Sequence, residues 1–162
     1  MIEIFDFKKS SGEKIPDIVG YVKDYIKANP NIDVMVGTDS QTKGAKTVFS
    51  TVIAMYDHGD GEHGHGAHCI FNRWSTPRYR KDQRFDRLLK ETEESINTAK
   101  KLRDAGIKIE FVDIDINPDP KYKSNEAFTA AYGWVTGEGF ECRWKTLGPL
   151  ITSFADWMVK KA

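Results

Sequence analysis

Three β-branched, apolar runs stand close together at residues 32–37, 47–55 and 67–74. Parallel neighbours need a crossover of a dozen or more residues, so runs this closely spaced predict an antiparallel meander. A long amphipathic segment follows. Across 82–105, Phe85, Leu88, Leu89, Thr92, Ile96, Ala99 and Leu102 fall on one stripe at about 100° per residue, and Gly106 is placed to end the helix. Residues 107–116 then read as a strand, with Asp113 and Asp115 on one face and Val112, Ile114 and Ile116 on the other. Ser124 can cap a helix over 125–135, residues 140–145 read as a short strand, and Pro149 opens a last helix buried through Leu150, Ile151, Phe154, Trp157 and Met158. Before the meander, Ile15, Ile18, Val19, Val22, Tyr25 and Ile26 recur at helical spacing, and Asn29-Pro30-Asn31 ends that helix. The order predicts an α/β fold: one mixed five-stranded sheet, three antiparallel strands then β-α-β, flanked by helices, with an extra N-terminal helix.

A chain of 162 residues is long enough for one core and short for two, so residues 1–162 are expected to form a single domain, 1–30 as lead-in and helix and 31–162 as its core. Lys and Arg number 24, matching the 24 of Asp and Glu, which argues against a protein that holds nucleic acid by bulk charge and leaves room for a local basic patch. No apolar run approaches the ~18 residues of a membrane span, and no signal-peptide core is evident. Cys69 and Cys142 have no CxxC spacing, so a reduced, cytoplasmic setting is expected.

The acids carry the chemistry. Asp39 follows the first apolar run, where ligand sites form at strand carboxyl ends, although an Asp here also serves simply to start a turn. Asp113 and Asp115 point the same way from a strand packed on its other face, and acids so placed call for a metal or a basic partner unless their face is solvated. Glu91 lies at the margin of the long helix's apolar stripe, placed to look past the core edge, whereas Glu93 and Glu94 read as solvated and paired with Lys90 or Arg87. Asp156, off the apolar arc of the last helix, reads from spacing alone as a surface residue. Mg²⁺ and Mn²⁺ prefer hard oxygen ligands, and two such ions about 3.5–4 Å apart can hold the attacking and leaving oxygens of a phosphodiester.

The element order resembles the ribonuclease-H fold, and more narrowly the YkuK-type ribonuclease-H-like family of bacterial and phage proteins. The matching stretches are Val36-Gly-Thr-Asp-Ser-Gln41, Arg87-Leu-Leu-Lys-Glu-Thr92 with Ser95, Asp113-Ile-Asp-Ile-Asn117, Lys123-Ser-Asn125, Gly133-Trp-Val-Thr-Gly-Glu-Gly-Phe140 and Ala155-Asp156. The resemblance implies a divalent-metal nuclease whose four carboxylates fall on Asp39, Glu91, Asp115 and Asp156, with Asp113 as the rival of Asp115. It implies one or two Mg²⁺ or Mn²⁺ ions and a nucleic-acid partner. Asp39-Ser40-Gln41 stands where ribonucleases H commonly carry Asp-Gly-Ser, and no substrate-handle loop is apparent. A non-catalytic nucleic-acid-binding or adaptor protein on the same fold is the competing expectation.

Two other clusters remain. Residues 73–87 hold six basic residues with Trp74 and Tyr79 among them. Arg78, Arg80, Lys81 and Arg84 there, with Ser40 and Gln41, are candidates to contact nucleic acid; a solvated loop partly neutralised by Asp82 and Asp86 is the alternative. His58, His63, His65 and His68 gather round a Gly-rich loop at 57–66 without zinc-site spacing, so a hairpin tip is expected there rather than a transition-metal site. No GxSxG elbow, P-loop or GxGxxG accompanies Thr38, Ser40 or Thr42, which removes serine-hydrolase and nucleotide-fold chemistry from consideration.

Overall fold

The computed structural model describes residues 6–59, 66–116 and 125–144. The elements run β1 (Phe7–Lys9), β2 (Lys14–Ile15), α1 (Ile18–Ala28), β3 (Ile32–Lys43), β4 (Lys46–Asp57), β5 (Ala67–Pro77), a 3₁₀ turn (Lys81–Gln83), α2 (Arg84–Asp104), β6 (Phe111–Ile114), α3 (Asn125–Gly137) and β7 (Cys142–Trp144). The sheet order is β2-β1-β5-β4-β3-β6-β7. The meander β3-β4-β5 is antiparallel, while β6 joins β3 and β7 joins β6 in parallel. This is the expected mixed α/β sheet, with seven strands rather than five. The last predicted helix, with Asp156, and the loop histidines His63 and His65 lie outside the described residues.

The two extra strands come from the N-terminal lead-in. Ile15 belongs to β2, not to the helix, because Asp17 ends the extended stretch: its side chain accepts from the Gly20 N–H at 3.0 Å and caps α1. Their brevity, three residues and two, leaves no periodicity to read. A second difference matters more. β3 does not stop at Gly37 but pairs with β4 through Lys43, turning only at Gly44-Ala45. Polar residues persist in the strand because their hydroxyls have partners. Thr38 Oγ1 lies 2.9 Å from Thr51 Oγ1 and 2.7 Å from Ser95 Oγ of α2.

The main core lies between the sheet and the helices. Val34, Val36, Ile53, Met55, Ile70, Val112 and Ile114 meet Ile18 and Val22 of α1, Ile96, Ala99 and Leu102 of α2, and Ala131 and Val135 of α3. A smaller cluster of Met35, Val52, Ala54, Phe71 and Phe111 sits on the opposite sheet face. α2 ends as expected: Gly106 takes φ +92°, which Gly adopts without a side-chain clash, and the Ile107 N–H returns to the Leu102 carbonyl at 3.1 Å. The expected stripe needs two corrections. Phe85 is exposed, lying in the first turn short of the sheet, whereas Glu94 is buried, with its charge met by Lys90 at 2.9 Å. His68 is not part of a loop tip; it lies on β5, stacks on Tyr25 with ring centroids 4.9 Å apart, and meets the Tyr21 hydroxyl at 2.6 Å, fastening α1 to the sheet. Among the described residues no helix is long and apolar enough to cross a membrane.

Ile53, fully buried at the middle of β4, is where the core is most easily tested. Ile53→Ala should lower the unfolding free energy by roughly 2–5 kcal/mol in urea titration. A loss below about 1 kcal/mol would contradict the packing described.

Candidate functional site

The parallel pairing of β3 with β6 positions the acids. Gly37 is level with Asp113, and Asp113 with Arg143 of β7. Side chains alternate along a strand, so Asp39 shares the face of Gly37, and Asp115 follows Asp113 on the same side. Asp115 stands one residue past the end of β6, while β3 continues. Where β6 ends beside β3 lies a narrow crevice lined by Thr38, Glu91, Ser95, Asp113 and Asp115 among others.

Glu91 enters from the helical side. It is buried on α2, and its Oε2 accepts a 2.5 Å hydrogen bond from the Ser40 hydroxyl. Burial, then the negative charge of Asp39, push its pKa well above the ordinary carboxylate value; Asp115 adds to this, and the Ser40 hydrogen bond and Arg87 oppose it. The negative charges of Asp39 on β3 and Asp115 beyond β6 thus both act on Glu91 of α2.

The residues expected from the sequence to form the site separate into groups. Asp39, Glu91 and Asp115 come together, and Asp113 lines the same crevice one row deeper, 1% exposed. Asp156 lies outside the described residues. Ser40 faces α2 and is committed to Glu91 rather than to open surface. Gln41 is half-buried, on the face that bears Asp39. Arg78, Arg80, Lys81 and Arg84 are exposed on the connection into α2; Arg78 Nη1 donates to the Gly44 carbonyl at 3.2 Å and Arg80 Nε to Asp82 at 3.0 Å. Among the described residues, no three His, Cys, Asp or Glu side chains are disposed so as to hold a metal ion as they stand. What sequence reasoning missed is the hydroxyl set Thr38, Thr51 and Ser95 beneath the acids. Its only signal was the run of small polar residues in β3 and at helical spacing from Glu91.

A carboxyl whose folded-state pKa is raised stabilises the fold most while it is protonated. That contribution is full below the unfolded value, near 4.5, and is lost as pH climbs through the raised folded value. In chelator, the unfolding free energy should therefore decline from pH 4.5 into the neutral range. Glu91→Gln should flatten that decline and be the more stable protein at neutral pH. Equal slopes for both proteins would show that Glu91 is not held as described.

A comparison with protein families adds an independent finding. The family model described as Ribonuclease H-like matches residues 16–160. No curated protein matches the chain. The matched stretch takes in the meander, α2, β6 and the three converging acids, and on that match over nearly its whole length the chain belongs to the ribonuclease H-like family.

Proposed function

We propose that this chain is a divalent-metal-dependent nuclease that hydrolyses phosphodiester bonds of DNA or RNA. The observation that carries the reading is that Glu91 of α2, buried and bonded to Ser40 of β3, lies where the charges of both Asp39 and Asp115 act on it, beside the parallel pairing of β3 with β6. Membership of the ribonuclease H-like family supports it, and the order of the sequence motifs supports the narrower YkuK-type assignment.

The donor set suits Mg²⁺ or Mn²⁺. All the converging groups are hard oxygen donors, and the burden that Asp39 and Asp115 place on Glu91 is the kind a dication relieves. In this reading Asp39, Glu91 and Asp115 would hold the metal. Asp156 completes the set on the strength of the family resemblance. When bound, one or two such ions supply Lewis-acid polarisation of the phosphate and lower the pKa of water. Ser40 is a positioning residue that keeps the Glu91 carboxylate aimed at the strand ends. The hydroxyls of Thr38 and Ser95 fix the distance between β3 and α2, and so the span the carboxylates bridge.

A second reading has its own observation. Glu91 is engaged by Ser40, and among the described residues no three-group metal arrangement stands ready, which favours a nucleic-acid-binding protein without catalysis. Cleavage separates the two. Labelled single-stranded and duplex DNA and RNA, an RNA–DNA hybrid and a four-way junction should be incubated with Mg²⁺, Mn²⁺ or chelator. The nuclease reading expects metal-dependent cutting of at least one substrate. It expects Asp39→Asn and Asp115→Asn each to slow cutting by about a hundredfold or more, which is ~2.7 kcal/mol of barrier. Binding without cutting in every condition, from folded protein, would favour the second reading.

A further inference from the structure

Beside the carboxylates lies a groove of opposite charge. The antiparallel ladders set it out in rows on the face that holds Asp39. Asp39, Ser50 and Arg73 share one row, Gln41, Val48 and Ser75 the next, and Lys43 and Lys46 the third, beside Pro77. Lys43, Lys46, Val48, Arg73, Trp74 and Ser75 line a groove of about 310 Å³. That is some ten times the ~30 Å³ that one water occupies in the liquid, room for a phosphate and its neighbouring sugar. The described lining contributes three cationic side chains, one hydroxyl and no carboxylate. Cations and small hydroxyls of this kind are what proteins present to the sugar–phosphate backbone.

Strand geometry gives the reach. Arg73 is two strands from Asp39, about 10 Å, and Lys43 is four residues along β3, about 13 Å. Those two directions lie at right angles on the sheet, so the cations are spread over an area beside Asp39 on the scale of a few nucleotides of backbone. The geometry points to this groove as the seat for the sugar–phosphate backbone of the strand whose reacting phosphate lies at the carboxylates. Its place along that strand rests on the nuclease reading; binding of the strand does not.

The test is binding, read by fluorescence anisotropy of labelled single-stranded and duplex DNA and RNA, in chelator, across a salt series. Lys46→Gln/Arg73→Gln is compared with wild type and with Lys108→Gln, an exposed cation on the segment before β6. Removing two phosphate contacts should reduce the slope of log K against log salt by about 1.8 on duplex or about 1.4 on a single strand, and Lys108→Gln should leave it unchanged. The charge-keeping pair Lys46→Arg/Arg73→Lys should retain the wild-type slope. An unchanged slope in the Gln pair, a slope lost equally in the charge-keeping pair, or no binding by wild type to any probe would overturn the proposal. The nuclease reading stands or falls separately. Groove-dependent binding with no metal-dependent cutting supports the groove and removes that reading; cutting by wild type with an unchanged slope in the Gln pair keeps the reading and overturns the groove.

Discussion

The parallel ladder between β3 and β6 is the constraint on which the rest depends. Its register, Gly37 against Asp113, decides which acids face each other. A shift by one residue would turn every side chain of β6 to the other face, putting Asp113 and Asp115 under the helices and taking Val112 and Ile114 out of the main core. The apolar alternation of β6 forbids that slip. Val112 and Ile114 are buried against the helical layer, so hydrophobic packing on one face fixes the position of charge on the other.

α2 carries the second half of the arrangement. Its apolar residues Leu88, Ile96, Ala99 and Leu102 hold it on the sheet, and between them it buries Glu91, Thr92, Ser95 and Thr98. A polar stripe in a core is costly unless satisfied. Here Ser95 meets Thr38, Thr92 returns its hydroxyl to the Leu88 carbonyl at 3.1 Å, and Glu91 accepts from Ser40, while the Thr98 hydroxyl has no hydrogen-bond partner among the described residues. Glu91 remains the group with the least comfortable charge, hemmed by burial and by two aspartates. Hydrophobic packing of the helix holds it there, which is how a fold keeps a strained ionisable group in a chosen place.

Much of this is legible in the sequence. The meander announces itself through closely spaced β-branched apolar runs and α2 through a period of about 3.6 residues, and the wheel position of Glu91 at the stripe's margin sets it apart from its neighbours on the helix. The equal facing of Asp113 and Asp115 also follows from alternation. Register is what the sequence does not carry. That Gly37 comes level with Asp113, or Arg73 with Asp39, depends on pairings between residues tens of positions apart, for which local pattern holds no record. Residues 38–43 look like a turn because they are polar; hydroxyl partners on β4 and α2 keep them in the strand. The groove cations have no local signature for the same reason, being spread over three strands, whereas the basic run at 78–84 is dense enough to stand out along the chain.

The central claim is that Asp39, Glu91 and Asp115 form one hard-ligand site where β6 ends beside β3. Substoichiometric Mn²⁺ added to isotope-labelled protein tests it most directly, through paramagnetic broadening of backbone amide signals. A single site there broadens the signals of Thr38 to Ser40, Glu91 and Asp113 to Asp115 first, and Asp39→Asn weakens the effect. Broadening centred elsewhere in the chain, or none at millimolar metal, would contradict it.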